Sequence, residues 1–167
     1  DGIVEVVLMS DWPVELAERF NTLKWQMATA ESCTGGLISA CCTDLAGSSA
    51  WFDRGFVTYS NDAKTQMLGV PAELIATQGA VSEAVAQAMA IGAVDRSKAQ
   101  VSVAVTGVAG PSGGSPEKPV GTVWLGWYIN GAITTELKHF EGNRKQVRQA
   151  TVAHALEGLL IRLPLVS

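Results

Sequence analysis

Residues 30–36 read AESCTGG, and this stretch decides both the fold and the place of a candidate site. The apolar run at 25–30 predicts a short buried strand, and the residues after it predict the start of a helix. Ser32 then lies at the carboxyl end of a strand, beside backbone N–H groups that a helix start leaves unpaired. Such groups hold a phosphate or stabilise the oxyanion of an acyl-transfer reaction. A simple helix cap by Ser32 or Thr34 is the structural alternative.

The order of strand, polar residue and helix recurs along the chain. Strands are predicted at 51–59 and 100–106, and the pair Asn130-Gly131 predicts a hairpin of 120–129 with 132–140. Apolar spacing and capping residues predict helices at 11–23, 34–45, 61–68, 82–94 and 143–163, with a turn or helix from 71 to 78. These elements predict an α/β fold: a three-layer α/β/α sandwich with a mixed, mostly parallel sheet and a C-terminal antiparallel hairpin.

Size and composition indicate one compact unit. The chain has 167 residues, of which 47% are hydrophobic, and this is enough to build a single core. Met9 followed by a polar pair resembles a natural start, so residues 1–8 are interpreted as a possible tag or extension and residues 9–167 as the domain. An apolar chain with five tryptophans is expected to form a homo-oligomer.

Charge and cysteine content exclude several classes of partner. A net charge of -4 disfavours nucleic acid, whose binders concentrate Lys and Arg on one face. Cys33, Cys41 and Cys42 lack the spacing of a zinc site, so neither a metal nor a disulfide framework is expected. Because no disulfide framework is expected, a cytoplasmic location is predicted. No apolar run approaches the roughly 18 residues of a membrane span, so no membrane partner is expected.

A second glycine-rich segment, TGVAGPSGG at 106–114, also follows a predicted strand directly. Ligands of open α/β sheets bind at the carboxyl ends of strands, so the two segments are predicted to line one crevice. The second segment lacks the Gly-Lys-Ser/Thr ending of a P-loop, and a surface turn is its structural alternative.

Six short segments occur in a fixed order and together resemble a known family. They are AESCTGG at 30–36, GSSAWFDRGFVTYSNDAK at 47–64, GAVSE at 79–83, TGVAGPSGG at 106–114, KPVGTV at 118–123 and FEGNR at 140–144. In these segments the chain resembles the C-terminal domain family of the competence-damage-inducible protein CinA, which includes stand-alone nicotinamide mononucleotide deamidases. The resemblance implies an α/β/α fold and hydrolysis of the carboxamide of nicotinamide mononucleotide, without a metal or cofactor. Asn143 departs from the acidic residue of many members, which leaves the role of that carboxylate open.

The resemblance and the strand-helix junction both nominate Ser32 as the nucleophile. The expected oxyanion donors are the N–H groups of the loop residues Thr34, Gly35 and Gly36. Cys33 is the weaker alternative: with Glu31 and Lys64 it would form a Glu-Lys-Cys amidase set, but small buried cysteines are the commoner case.

A serine nucleophile needs a base, and both histidines, His139 and His154, are remote in sequence from the glycine-rich segments. Lys64 is therefore the candidate base, as in other serine-lysine hydrolases. To act at neutral pH its pKa must fall from about 10.4 to near 7, which burial or a nearby cation can achieve. Tyr59 is the candidate to relay the proton or to hydrogen-bond the pair.

The substrate phosphate needs a cation or clustered N–H groups. Arg144, at the start of the last predicted helix, is the first choice, and Lys118 beside the glycine loop is the second. Glu31 is expected either to orient the lysine or the leaving amide, or to be a surface carboxylate. The other candidate substrate-binding residues are Ser48, Thr106, Gly107, Gly110, Gly113 and Gly114.

Two other classes of protein stay open on the sequence alone. One is a binding or regulatory module that has kept the pocket and lost catalysis. The other is a nucleotide phosphohydrolase, which commonly uses a metal held by acidic residues. Asp44, Asp53 and Asp62 show no metal-ligand spacing, which disfavours the second class.

Overall fold

A computed structural model of the chain describes residues 12–165. The first residue of the predicted helix at 11–23 and the possible tag at 1–8 lie outside these residues. The helices of the described range are α1 (Trp12–Leu23), α2 (Leu37–Thr43), α3 (Asn61–Leu68), α4 (Ala72–Gln78), α5 (Glu83–Asp95) and α6 (Arg144–Arg162), with a 3-10 turn at Ser48–Ala50. The strands are β1 (Met27–Glu31), β2 (Phe52–Val57), β3 (Val101–Gly107), β4 (Thr122–Ile129) and β5 (Ala132–His139).

The five strands form one sheet in the order β2-β1-β3-β4-β5. β1 pairs in parallel with both β2 and β3, whereas β4 pairs antiparallel with β3 and β5. Four strands therefore point one way and β4 points the other. Asn130 and Gly131, with φ of 45° and 102°, form the predicted hairpin turn, which requires positive φ at both positions.

Helices cover both faces of the sheet. Successive residues of the central strands face opposite sides, and both sides carry apolar residues that need to be buried. Met27 lies in a core with α1, α2 and α6, whereas Ala28 lies in a second core with α3, α4 and α5. The predicted three-layer α/β/α architecture with a mixed, mostly parallel sheet is confirmed.

The start of α2 differs from the prediction. The sequence predicts a helix from residue 34, but α2 begins at Leu37. Gly35 and Gly36 adopt φ of 59° and 108°, a left-handed backbone that a right-handed helix does not use. Residues 32–36 consequently form a separate turn between β1 and α2, which we call the nucleophile loop after the predicted role of Ser32.

Helix α6 is fixed against the sheet by a large aromatic side chain. Trp127 of β4 donates its indole N–H to the carbonyl of Ala155 at 3.0 Å, and the guanidinium carbon of Arg162 lies 3.7 Å from the ring centroid. At Gly158 the indole comes so near that a Cβ atom would lie 2.3 Å from its Cζ2. These contacts set the distance between α6 and the sheet.

The N-terminus of α6 is closed by Asn143. Its side chain accepts the N–H of Gln146 at 2.9 Å, and the Gln146 side chain accepts the N–H of Asn143 at 2.8 Å. This capping box is a role that Asn and Asp share. The departure from an acidic residue at 143 is therefore compatible with the fold.

No helix between residues 12 and 165 combines the length and apolar character needed to cross a membrane. Within the same range, no three His, Cys, Asp or Glu side chains gather as a metal-binding group.

Candidate active site

A cleft of about 240 Å³ opens at the carboxyl ends of β1 and β3. Ser32 enters it from the end of β1, Thr106 and Gly107 from the end of β3, and Arg144 from the start of α6. The complete lining is Ser32, Cys33, Tyr59, Asn61, Lys64, Ala80, Val81, Thr106, Gly107, Ala109 and Arg144. The two glycine-rich segments therefore meet at one crevice.

Lys64 and Ser32 are in direct contact inside this cleft. The Lys64 Nζ lies 3.0 Å from Ser32 Oγ, and it also lies 3.1 Å from the carbonyl oxygen of Thr58 and 3.3 Å from that of Tyr59. A neutral amine in this place can donate its two N–H groups to the carbonyls and direct its lone pair at the serine hydroxyl. Three neighbours thus fix the direction of the amine.

The surroundings of Lys64 disfavour its charged form. Its side chain is buried, and burial lowers its pKa, while the nearby Cys33 opposes that shift as the smaller cause. In the part of the chain from 12 to 165, Lys64 forms no ion pair with a carboxylate. The direction of the shift is the one that a general base requires.

Cys33 also lines the cleft, but its environment makes it a poor nucleophile. Burial raises the pKa of its thiol to about 11, so the thiol is protonated at neutral pH. The amine of Lys64 hydrogen-bonds the hydroxyl of Ser32. Both observations favour Ser32 over Cys33.

Glu31 differs from the expectation, because it neither orients Lys64 nor lines the cleft. Its buried carboxylate turns to the other side of the loop. There it accepts hydrogen bonds from Thr34 Oγ1 at 2.6 Å, Ile38 N at 2.8 Å, and Ser39 N and Oγ at 3.0 and 2.7 Å. Glu31 therefore caps the N-terminus of α2, where a negative charge complements the helix dipole.

The expected oxyanion donors are also displaced, since Thr34, Gly35 and Gly36 lie outside the cleft lining. The N–H of Gly35 already donates to the carbonyl of Ser32 at 3.1 Å. That bond turns the Ser32 carbonyl into the loop, and in a trans peptide the next N–H, that of Cys33, points the opposite way. Among residues 12–165 no backbone carbonyl accepts the Cys33 N–H, and Cys33 lines the cleft.

Tyr59 and Arg144 meet at the mouth of the cleft. Arg144 donates from Nη2 to the phenol oxygen of Tyr59 at 3.2 Å and from Nη1 to the carbonyl of Gly110 at 2.9 Å. Tyr59 is 61% exposed, and its phenol has no hydrogen bond to Ser32 or Lys64. The geometry supports a contact with the outer part of a substrate and does not support the expected proton relay.

Besides Glu31, five expected pocket residues lie outside the cleft lining. Gly110 borders the cleft, since its carbonyl accepts the hydrogen bond from Arg144 at 2.9 Å. Lys118 donates to the carbonyl of Gln78 at 3.0 Å, at the end of α4, where unpaired carbonyls attract a cation. Ser48 precedes the amino end of β2, and because β2 is parallel to β1 this is the opposite edge of the sheet from Ser32. Gly113 and Gly114 lie on the exposed outer part of their loop.

Sequence reasoning missed several lining residues. Asn61 and Ala109 lie in segments that supplied other predicted site residues, whereas Ala80 and Val81 lie in GAVSE at 79–83, which was used only for the family resemblance. The hydroxyl of Thr106 donates to the carbonyl of Ala80 at 2.8 Å, which ties the segment before α5 to the end of β3. Ala80, Val81 and Ala109 have no polar side-chain group, so their residue types gave no signal of a site, whereas the amide of Asn61 can hydrogen-bond a ligand.

A larger cavity, of about 440 Å³, lies at the opposite edge of the sheet. It is lined by Phe20, Asn21, Lys24, Trp25, Gln26, Ala50, Lys98 and Gln100. This lining contains no serine, cysteine or carboxylate, so the candidate chemistry belongs to the smaller cleft.

The fold and the cleft together define a class of protein. It is a three-layer α/β/α domain with a serine-lysine pair at the carboxyl ends of its central strands. A family model described as the CinA C-terminal domain matches residues 10–163. The chain belongs to this family, as the sequence resemblance predicts.

Similar proteins cover nearly the whole domain. The chain is 53% identical over 145 residues to the nicotinamide-nucleotide amidohydrolase PncC of Pseudomonas putida, covering 87% of this chain and 91% of the relative. It is 54% identical over 134 residues to PncC of Escherichia coli K12, covering 80% and 81%. The crystal structure of the competence/damage inducible protein CihA from Agrobacterium tumefaciens is 50% identical with a TM-score of 0.88, over 90% of this chain and 93% of that one.

The role of Glu31 can be tested by Glu31→Gln. An amide has one acceptor oxygen and turns an NH2 group towards buried N–H donors, so we expect the free energy of unfolding to fall by about 2 to 3 kcal/mol. Urea denaturation measures this, with the exposed Glu73→Gln as the control, expected within about 0.5 kcal/mol of wild type. Equal stabilities of the two variants would contradict the capping role.

Proposed function

We propose that this chain is a nicotinamide-nucleotide amidohydrolase that converts nicotinamide mononucleotide to nicotinate mononucleotide and ammonia. The proposal is supported by relatives of that name at 53% and 54% identity over most of both chains. The observation that carries the mechanism is the 3.0 Å contact between Lys64 Nζ and Ser32 Oγ in the cleft.

In the first step, neutral Lys64 accepts the proton of Ser32 as the serine oxygen attacks the carboxamide carbon. The resulting ammonium has three N–H groups, and three oxygens already surround it: Ser32 Oγ and the carbonyls of Thr58 and Tyr59. These three acceptors offset part of the cost of burying the charge that forms on Lys64, and they do so without any rearrangement of the protein. We assign the N–H of Cys33 as the first donor to the oxyanion.

In the second step, the Lys64 ammonium gives its proton to the nitrogen of the tetrahedral intermediate. The carbon-nitrogen bond breaks, ammonia leaves, and an ester joins the nicotinoyl carbon to Ser32. Water then attacks the ester while Lys64 accepts its proton, and the returning proton restores the serine hydroxyl. The sequence of steps consumes one water and needs no cofactor or metal.

The substrate is expected to lie with its carboxamide at Ser32 and its phosphate at Arg144. Ligand pockets commonly have about 300 to 1,000 Å³, and this cleft of about 240 Å³ is smaller. It therefore suits the pyridine ring and its amide, with the ribose phosphate at the mouth, where the Arg144 guanidinium and the Tyr59 phenol meet. The expectations of a single domain at 9–167 and of a cytoplasmic homo-oligomer stay predictions.

The nucleophile is tested by measuring ammonia release from nicotinamide mononucleotide in excess EDTA. Wild-type protein should keep its full rate, because the proposed steps use no metal. Ser32→Ala should lower kcat by about 10³-fold or more, whereas Cys33→Ala should keep most activity. Calorimetry should show that the Ser32→Ala variant still binds the substrate. The reverse behaviour of the two variants would assign the reaction to the thiol.

The base is tested by the dependence of kcat on pH. Only the neutral amine accepts a proton, and burial lowers the pKa of Lys64, so kcat should rise with pH along one ionisation below the ordinary value of about 10.4 and then level off. Lys64→Arg keeps the positive charge but cannot deprotonate, so it should be as inactive as Lys64→Ala. Near wild-type turnover in Lys64→Arg would make Lys64 an electrostatic anchor instead.

The phosphate site is tested by substrate selectivity. Arg144→Ala should raise KM for the mononucleotide by about 10- to 100-fold, the loss expected for a charge-assisted hydrogen bond, and leave KM for the unphosphorylated riboside little changed. Arg54→Ala, on the edge strand β2, is the matched control and should keep the wild-type preference. An unchanged preference in Arg144→Ala would place the phosphate elsewhere.

A further inference from the structure

We propose that Arg148 is a positioning residue for the nucleophile, and that it holds the nucleophile loop in its active shape from helix α6. Its Nε donates to the carbonyl of Cys33 at 3.1 Å, and its Nη2 donates to the carbonyl of Thr34 at 3.2 Å. The kinetic part of this inference rests on the proposed amidohydrolase function. The structural part does not.

The nucleophile loop needs support, because its sequence gives it little rigidity. Gly35 and Gly36 restrict the backbone less than any other residue type. The carboxylate of Glu31 holds the loop on its α2 side, through Thr34 and the first N–H groups of the helix. Arg148 holds the same loop from α6, so Ser32 stands between two independent anchors.

Arg148 is suited to this task by the shape of its side chain. A guanidinium presents several N–H groups in one rigid plane, so two bonds to consecutive carbonyls fix the orientation of both peptide units. In the range 12–165, Arg148 forms no ion pair with a carboxylate. Its identified bonds go to a loop more than a hundred residues away in sequence, so local helix structure does not explain them.

Fixing these peptide units fixes the reacting groups. The Cys33 carbonyl held by Arg148 belongs to the residue whose N–H is the assigned oxyanion donor. The same residue follows Ser32, so rotation of this part of the backbone would move both the hydroxyl and the donor relative to Lys64. A displacement of about 1 Å in such an arrangement can cost about 100-fold in rate.

Arg148 also lies one helical turn after Arg144, on the same face of α6. Arg144 lines the cleft, and Arg148 supports the loop that carries the nucleophile. One rigid helix thus sets the distance between the proposed phosphate site and Ser32. Loss of Arg148 should therefore affect the reaction step, whereas loss of Arg144 should affect binding.

The test is a comparison of kcat and KM for ammonia release. Arg148→Ala should lower kcat by about 10- to 100-fold, with KM within about threefold of wild type and an unchanged midpoint of the pH profile. Arg148→Lys keeps the positive charge but loses the planar guanidinium, so its kcat should lie between those of Arg148→Ala and wild type. Guanidinium ions at millimolar concentration should restore part of the kcat of Arg148→Ala.

Arg19→Ala is the matched control. Arg19 also donates to two backbone carbonyls, those of Leu160 and Leu163, at 3.3 Å each, but it does so at the far end of α6. This variant should lose thermal stability and keep kcat. A folded Arg148→Ala with wild-type kcat, or with a raised KM and unchanged kcat, would overturn the proposal. If Arg148→Ala does not fold, the same comparison is made with Arg148→Lys, and a wild-type kcat in that variant would overturn the proposal.

Hydrogen exchange separates this proposal from the proposed function. Amides of residues 33–37 should exchange faster in Arg148→Ala than in wild type and at the wild-type rate in Arg19→Ala. If wild-type protein releases no ammonia from nicotinamide mononucleotide, the proposed function fails, and this exchange measurement still decides whether Arg148 holds the loop. Unchanged exchange in Arg148→Ala would refute the support itself.

Discussion

The buried amine of Lys64 is the interaction on which the rest of the site depends. A charged ammonium without a carboxylate partner is costly to bury, and a neutral amine still needs partners for its N–H groups. Parallel pairing supplies them: Glu31 is in register with Val57, and the N–H of Thr58 donates to the carbonyl of Glu31 at 2.8 Å. The sheet register therefore brings the end of β2, with its carbonyls, beside the serine that follows β1.

Two different devices keep the nucleophile loop in place around that amine. A buried carboxylate closes the start of α2, and a guanidinium from the last helix binds the carbonyls on the other side. Neither device faces the substrate. In the proposed reaction the chemistry is carried out by Ser32, Lys64 and the loop backbone. Glu31 and Arg148 hold the loop in place. Charged residues next to a nucleophile therefore need not take part in its reaction.

The sequence predicted the fold well because its signals are local. The hairpin turn at Asn130-Gly131 depends on the backbone conformation of two adjacent residues. Ser32 directly follows β1, and Lys64 lies in α3, the helix that follows the neighbouring parallel strand β2, so strand pairing brings the two together. The wrong predictions concern the direction in which a side chain points. Whether Glu31 turns to the cleft or to α2 is decided by the path of the loop, and the partner of Lys118 is a carbonyl of a distant helix. Arg148 was missed because its partners lie more than a hundred residues away in sequence.

The indole of Trp127 against Gly158 has a consequence at the other end of the molecule. From residue 158 to Arg144, α6 extends about 21 Å, so a small change of helix angle at residue 158 moves Arg144 by a larger distance. A side chain at 158 would force either the indole or α6 to move, and a tilt of α6 by about three degrees shifts its start at the cleft by about an ångström. Gly158 lies far from the cleft, yet its lack of a side chain allows the close contact with Trp127 that sets the position of α6 and with it the width of the cleft.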